Sequence, residues 1–184
     1  TTGTAGATTA PSLQLVSGTL FVNDGTSAQD ALSGGTFTYT NANVGSGKTV
    51  NVSGVSIVSA GTSVTNNYSI SYQANTASVI TVAPVTISGL SASNKVYDTT
   101  ASASLSGTAT ISGLLTGDTA TLSGTATAGT FASSNVANGI AVTANLGNLS
   151  LSNSNYAIVG VTTPLSANIT PAPVTISGLS ASNK

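Results

Sequence analysis

The stretch Ala83–Lys95 reads APVTISGLSASNK, and Ala172–Lys184 repeats these thirteen residues without a substitution. The second copy begins 89 residues after the first (172 minus 83), and a fixed period of this length is typical of tandem repeats of domain size. Val96–Lys184 is therefore one whole period. We expect the sequence to be a piece of a longer repetitive protein.

A shorter, divergent copy comes before the first quoted stretch. Its segment Asn67–Ile70 corresponds to Asn155–Ile158, and its entry, Ala10-Pro11, corresponds to Ala83-Pro84. Asp24 precedes Phe37 by 13 positions, whereas Asp98 precedes Phe131 by 33, so the first copy lacks about one hairpin, in the region of Ser106–Ser123. The predicted organisation is an N-terminal segment or linker (1–11), a shorter β repeat (12–82), a full β repeat (83–171) and the first strand of a further repeat (172–184).

Apolar residues recur with a period of two. Ile140, Val142, Ala144 and Leu146 alternate with small or polar residues, as in a half-buried strand. The alternation changes parity around Gly54 and again around Gly147, which predicts a β-bulge or a tight turn at each place. No stretch shows helical spacing. The sequence predicts an all-β protein.

About seven short strands in each repeat favour tandem immunoglobulin-like β-sandwich repeats. A parallel β-helix is the alternative, because alternation rich in Ser, Thr, Gly and Asn also suits that fold. Its rungs would repeat every ~20–30 residues, and no such period is visible.

The composition excludes several functions. Only 4% of the residues are charged, and His and Cys are absent, so a Ser-His-Asp or Cys-His catalytic arrangement is impossible. Zinc sites lack their usual ligands, the four acidic residues are scattered, and three lysines cannot neutralise nucleic-acid phosphates. We predict no enzyme, no cofactor, no metal and no nucleic-acid partner.

No apolar run approaches the roughly 18–20 residues of a membrane helix, so no membrane insertion is expected. The first residues do not resemble a signal peptide, and any secretion signal is expected upstream.

Residues 94–101, NKVYDTTA, resemble the signature of YDG/MBG-type repeat domains, usually lysine-x-tyrosine-aspartate-glycine-threonine-threonine. Lys95, Tyr97 and Asp98 match its motif positions, whereas Thr99 stands where the family has glycine; Asn23 replaces the tyrosine in the first copy. The resemblance covers the second copy and, more weakly, the first. It implies a stalk or spacer in large secreted bacterial adhesins, notably filamentous haemagglutinin-like proteins exported by two-partner secretion.

Three further features suggest chemistry beside a purely structural role. Lys95 is a candidate for an isopeptide bond to an asparagine. Thr36, Thr38 and Thr40 share one face of a predicted strand, where they suit a glycan or ice surface as well as ordinary β structure. Four Asn-x-Ser/Thr sequons are expected from the composition, so they are weak evidence of glycosylation. They begin at Asn51, Asn67, Asn148 and Asn168.

The repeated strand suggests a mode of assembly. Val174, Ile176 and Leu179 belong to the first strand of a repeat whose remainder lies outside this sequence. Such a strand could add to the sheet edge of a neighbouring chain and form a homopolymer.

The sequence is therefore interpreted as a non-catalytic stalk of a bacterial surface adhesin or extracellular filament, secreted to the cell surface or matrix. Its expected partners are neighbouring repeats and possibly surface glycans or matrix. The alternatives are a filament subunit joined by strand exchange and a glycan- or ice-binding module.

Overall fold

The structure is a computed structural model that describes residues 13–21, 29–178 and 180–181, and it divides the chain into two compact units. Unit 1 is Thr1–Ala83 and unit 2 is Pro84–Lys184. The predicted segment 1–11 and three predicted motif residues, Asn23, Asp24 and Leu179, lie outside the described residues.

The predicted all-β class is confirmed. Within the described ranges, one turn of 3-10 helix at Thr65–Asn67 is the only helical element. The strands of unit 1 are β1 (Ala31–Tyr39), β2 (Gly45–Ser59), β3 (Thr62–Ser63) and β4 (Asn75–Ile80). The strands of unit 2 are β5 (Ala83–Ala92), β6 (Lys95–Val96), β7 (Ser102–Ser112), β8 (Leu122–Ser123), β9 (Ala128–Phe131), β10 (Ala137–Ala144), β11 (Ser150–Leu151), β12 (Tyr156–Val161) and β13 (Leu165–Thr170).

Unit 1 is built on one long antiparallel hairpin. β1 pairs with β2 from Ala31↔Val58 to Tyr39↔Val50, and β2 also pairs with β3 and β4. The register places Gly35 opposite Gly54, and both have a left-handed φ, +98° and +66°. The predicted change of parity at Gly54 thus occurs without a bulge, because two facing glycines let both strands turn over together.

Unit 2 contains a seven-stranded sheet in the order β12-β5-β7-β9-β10-β13-β6 and a small β8–β11 ladder. Only Ser93 and Asn94 separate β5 from β6, yet the two strands lie at distant places in this order. The sheet must therefore curl until its end strand β6 comes back close to the end of β5. The Asn168 amide, on β13, donates to Asn94 Oδ1 (2.7 Å) and holds the link there.

A bulge in the β5–β7 pair divides the interior of unit 2 into two cores. The register shifts between Ser88 and Leu90, at Gly89 with φ +81°. On one side lies a cluster around Phe131 and Ile169; on the other lies a cluster around Ile87. The turn predicted near Gly147 is confirmed, because the Leu149 amide donates to the Leu146 carbonyl (2.9 Å) and turns Leu149 into the second cluster.

The two units share a pairing register. Phe37↔Val52 in unit 1 corresponds to Phe131↔Val142 in unit 2, and Leu32↔Ile57 corresponds to Leu122↔Leu151. By this correspondence Leu122–Ser123, at the end of the region predicted to be missing, has a counterpart in unit 1. The shortening lies N-terminal to it, around the counterpart of β7.

Candidate functional site

The matched motif residues form a small ionic network at the start of unit 2. Lys95 Nζ lies 2.5 Å from Asp98 Oδ1 and donates to the Thr100 carbonyl (3.0 Å), the Thr100 hydroxyl (2.9 Å) and the Ser102 carbonyl (3.3 Å). All of these partners lie within seven residues of Lys95, so its amine ties β6 to the beginning of β7. The network is local, and it engages the lysine that was a candidate for an isopeptide bond.

Asp98 holds the turn between these strands. Its Oδ1 accepts hydrogen bonds from the Thr100 amide and the Thr100 hydroxyl, both 2.9 Å. The ion pair with Lys95, followed by these two bonds, lowers the pKa of Asp98 to about 2. The carboxylate is thus charged at any physiological pH and serves as a fixed acceptor.

The backbone conformation at Thr99 shows why the family signature has glycine at this position. Its φ is +74°, a left-handed value that glycine adopts freely and that a β-branched residue adopts at a cost. The family's glycine therefore suits the backbone at this position, and this chain carries strain there. Tyr97 is 38% exposed, and its amide donates to the Thr170 carbonyl (2.8 Å).

The hydrogen bond from the Tyr97 amide to the Thr170 carbonyl extends the pairing of β6 with β13. β6 runs parallel to β13, with Ile169↔Lys95 and Thr170↔Val96 in register. The Thr170 hydroxyl also donates to the Lys95 carbonyl (3.3 Å). We call β6, β13 and these contacts the clamp. It joins the N-terminal part of unit 2 to the last strand of the unit.

Sequence reasoning missed a tyrosine–aspartate pair that occurs once in each unit. The Tyr156 hydroxyl donates to Asp118 Oδ2 and the Tyr68 hydroxyl donates to Asp30 Oδ2, both at 2.6 Å and both across 38 positions. Each hydroxyl also accepts a backbone amide, from Leu115 (3.3 Å) or Phe21 (3.2 Å). The shared spacing of 38 was a signal available in the sequence.

The aspartates act on the tyrosines electrostatically. Each accepts the phenol proton in a hydrogen bond, which raises the pKa of Tyr68 and of Tyr156. The phenols therefore remain neutral hydrogen-bond donors. In unit 2 the pair joins Asp118 to β12, and in unit 1 it joins Asp30, next to β1, to the residue that follows the 3-10 helix. We call this pair the tyrosine–aspartate bolt. Neither tyrosine has the environment of an activated nucleophile.

Two of the three predicted exchange residues are exposed, whereas their counterparts in β5 are buried. In β5, Val85 is 1% exposed and Ile87 is 0% exposed. In the copy, Val174 is 90% exposed and Ile176 is 79% exposed, and neither belongs to a strand. The third predicted exchange residue, Leu179, lies outside the described residues.

The described cavities carry no charged group. A cavity of about 280 Å³ in unit 1 is lined by apolar side chains such as Leu32, Val55 and Ile57, with Tyr68 and Tyr72 at its wall. An open groove of about 400 Å³ in unit 2 lies between the β10–β11 turn and β12. These linings offer hydrogen-bonding groups and apolar surface for binding, and no acid–base pair.

Threonines cover one face of β1. Thr36, Thr38 and Thr40 are exposed, whereas Phe37 and Tyr39 between them are half-buried. Ser53 and Asn51 lie across the ladder from Thr36 and Thr38, so this face of unit 1 is a neutral array of hydroxyl and amide groups.

Two further kinds of feature, a metal-binding cluster and a membrane-spanning helix, are absent from the residues that the structure describes. Among the described residues, no three or more His, Cys, Asp or Glu side chains come together where they could hold a metal ion. The same part of the chain has no helix with the length and apolar character needed to cross a membrane.

Comparison with known proteins gives one match. The model of a family described as YDG domain matches residues 1–77 and again residues 81–164, one match for each unit. No curated protein and no solved structure shows significant similarity to the chain.

Proposed function

The chain belongs to the YDG domain family, and from that premise we propose that it is a non-catalytic stalk of a bacterial surface adhesin or extracellular filament. In this proposal the chain is secreted, and its repeats project a binding region from the cell or build matrix. Its partners are the neighbouring repeats, with surface glycans or matrix at the distal end. The low charge and the hydroxyl-rich surface suit a spacer that binds few ligands itself.

The parallel clamp is the observation that carries the proposal. The chain enters unit 2 at Pro84, runs along β5 into β6, and leaves β13 at Thr170 beside Val96. The ten residues of β5 span roughly 30 Å, so entry and exit lie near opposite ends of the unit. This is the geometry of a unit that transmits tension along its length.

Tension on such a unit loads the clamp in shear. A pull on the N-terminal side draws β5 and β6 backwards, while a pull on the C-terminal side draws β13 forwards. Because β6 and β13 are parallel, their hydrogen bonds resist together rather than opening one at a time. Lys95 adds resistance, since its amine fastens β6 to Thr100 and Ser102 at the start of β7.

We also propose that each unit is a relative of the immunoglobulin-like sandwich and not of the parallel β-helix. The pairs β1–β2, β9–β10, β10–β13 and β5–β7 are antiparallel and the β13–β6 pair is parallel, whereas the strands of a parallel β-helix all pair in parallel. The inward faces of the curled sheet pack on one another, as the two sheets of a sandwich do.

Single-molecule pulling from the two termini tests the stalk. We expect unit 2 to unfold at a high force, and Lys95→Met to lower that force because β6 loses its anchor. Lys48→Met, which removes a lysine of unit 1 outside the clamp, is the matched control. Unfolding of unit 2 at a force unaffected by Lys95→Met would contradict the mechanical role of the clamp.

A glycan- or ice-binding module is the second candidate, and the exposed row of Thr36, Thr38 and Thr40 favours it. Replacing all three by valine keeps β propensity and removes the hydroxyls. Retention of the chain on polysaccharide, or its shaping of ice crystals, should disappear in this variant. Equal behaviour of the variant and the natural sequence would remove this candidate.

A further inference from the structure

β1 is an end strand of the sheet in unit 1, and no described strand pairs with its outer edge. The Thr40 amide donates to the Thr49 carbonyl (3.0 Å), so the even-numbered residues in this part of β1 direct their backbone groups towards β2. The N–H and C=O groups of successive residues point to opposite sides of a strand. Those of Phe37 and Tyr39 therefore point to the outer edge.

Unit 2 covers the equivalent edge with a strand. Phe131 has the position of Phe37 in the shared register, and its amide donates to the Ala101 carbonyl (2.8 Å). β7 continues this pairing along β9, with Ala103 opposite Gly129. The backbone groups at the outer edge of β1 are thus the ones that pair with a further strand in unit 2.

Unit 1 has too little sequence to supply a strand like β7. Only six residues, 25–30, lie between the motif residue Asp24 and the start of β1, whereas β7 has 11 residues. The unpaired edge therefore results from the short connection inside the repeat.

Nothing on β1 opposes its pairing with another strand. Sheet edges are usually protected by a charge, a proline or a bulge. β1, ALSGGTFTY, has neither a charge nor a proline, and Thr36–Tyr39 pairs with β2 without a register shift. A second copy of β1 is equally uncharged, so the approach of two such edges meets no electrostatic repulsion.

We propose that Gly35–Tyr39 pairs antiparallel with the same segment of a second copy of this chain, in a closed dimer with two-fold symmetry. Phe37 lies opposite Phe37 of the second copy, because this register uses the whole segment and brings the outward-pointing backbone groups together. Thr36 then lies opposite Thr38 of the second copy. The proposal concerns how two chains associate and does not depend on the stalk function.

The side chains on both faces of the segment support this register. On the exposed face, Thr36 of each copy pairs with Thr38 of the other; on the opposite face, the half-buried Phe37 side chains of the two copies lie side by side. Threonine pairs and aromatic pairs are both favourable across antiparallel strands. Because each β1 has one unpaired edge among the described residues, association through it ends at two copies.

Analytical ultracentrifugation of the full chain tests the association. We expect a monomer–dimer equilibrium in a concentration series that extends to about 1 mM, where even a weak complex is populated. A chain that stays monomeric throughout the series would overturn the proposal, and so would oligomers that keep growing with concentration.

Charged residues at the dimer seam test which strand forms it. Thr36→Lys with Thr38→Lys places lysine opposite lysine at two symmetric positions, which should weaken the dimer about tenfold. Thr36→Glu with Thr38→Glu should do the same, whereas a mixture of the two variants should form a heterodimer at least as stable as the natural dimer. Both positions are exposed, and hydrogen exchange in β2 reports whether unit 1 is folded. A lysine variant that dimerises like the natural chain would overturn the proposal, as would a mixture that does not recover.

Asn51→Lys with Ser53→Lys is the matched control. These exposed residues of β2 lie opposite Thr38 and Thr36 within the same chain, so the added charge is equal but one strand away from the seam. We expect this variant to dimerise more tightly than the one with lysines on β1. An equal loss in both variants would assign the effect to net charge and overturn pairing through β1.

A disulfide tests the register. Thr36 and Thr38 of the second copy form a pair without mutual hydrogen bonds, whose Cα atoms lie about 4.5 Å apart and suit a disulfide. A chain with Thr36→Cys should therefore crosslink to a chain with Thr38→Cys. The Thr36→Cys chain should not crosslink to itself, because those positions are diagonal neighbours about 7–8 Å apart. The natural sequence has no cysteine, and equal reaction in both cases would rule out this register.

Discussion

Unit 1 and unit 2 build the same strand ladder in different ways. In unit 1 it is one continuous hairpin, β1–β2, whereas in unit 2 it is two separate ladders, β9–β10 and β8–β11. The tyrosine–aspartate bolt fastens both forms with equal geometry. The ladder and the bolt are thus the common part of the repeat, and the strands that precede them vary.

The strands that differ between the two units determine how completely the core side chains are buried. In unit 2, Ile87, Ile169 and Phe131 are at most 2% exposed, because β5 and β7 extend the sheet beyond β9. Among the described residues of unit 1, the buried apolar side chains are Val55 (9% exposed) and Ile57 (3%). We therefore expect unit 2 to be the more stable of the two, and the following changes test this difference.

The largest expected effect comes from the phenylalanines that occupy equivalent positions in the ladder. Phe131→Ala should destabilise unit 2 by about 3–5 kcal/mol, since it leaves a cavity in a closed core, whereas Phe37→Ala should cost unit 1 about 1–2 kcal/mol. Denaturant titration followed by hydrogen exchange in β10 and β2 measures each unit separately. Equal losses in the free energy of unfolding would mean that the two phenylalanines are equally well packed.

Two glycines with a left-handed φ, one in each unit, should give the next largest effect. Gly89→Ala forces a Cβ against the Thr108 carbonyl, so we expect it to cost roughly 3 kcal/mol or more. Gly54→Ala also has a left-handed φ but meets nothing within 4 Å, and it should cost only about 1–2 kcal/mol. The same titration applies, and a larger loss from Gly54→Ala would contradict the proposed role of the bulge in unit 2.

We expect the tyrosine–aspartate bolt to contribute equally to the stability of each unit. Tyr156→Phe and Tyr68→Phe each remove one hydrogen bond to an aspartate and one from a backbone amide. We expect each variant to lower the melting temperature of its own unit by a few degrees. A clear difference between the two losses of melting temperature would show that the two pairs contribute unequally to stability despite their shared geometry.

High pH should have the same effect as these substitutions. The folded-state pKa of each tyrosine is raised above the ordinary value of 10.0, so its contribution to stability is complete below pH 10 and is lost as the pH rises through the raised pKa. The phenylalanine variants lack this loss, and they are the control for a melting series at alkaline pH.

Thr99→Gly should have the smallest effect and the opposite sign. Release of the strain at φ +74° contributes about 1–2 kcal/mol, and the greater freedom of glycine in the unfolded chain offsets about 0.5–1 kcal/mol of it. We therefore expect unit 2 to gain up to about 1 kcal/mol. Thr100→Gly, one position along, should destabilise it by removing the hydroxyl that contacts Lys95 and Asp98.

The sequence by itself determined the local features of this protein. Period-two alternation assigned the strands and their buried faces, including Ile140 and Val142, because the direction of a side chain in a strand follows from the backbone alone. The exact repeat of APVTISGLSASNK located the first strand of unit 2. Parity changes also marked the special backbone positions near Gly54 and Gly147.

Only the tertiary structure decided which strands pair and which side chains meet. β6 lies beside β13, 74 positions away (169 minus 95), and Tyr156 reaches Asp118 across 38. Such contacts depend on how the whole sheet curls, since alternation specifies a face and not a neighbour. The burial of Val85 has the same origin, because β7 and β12 lie on either side of β5 in the sheet.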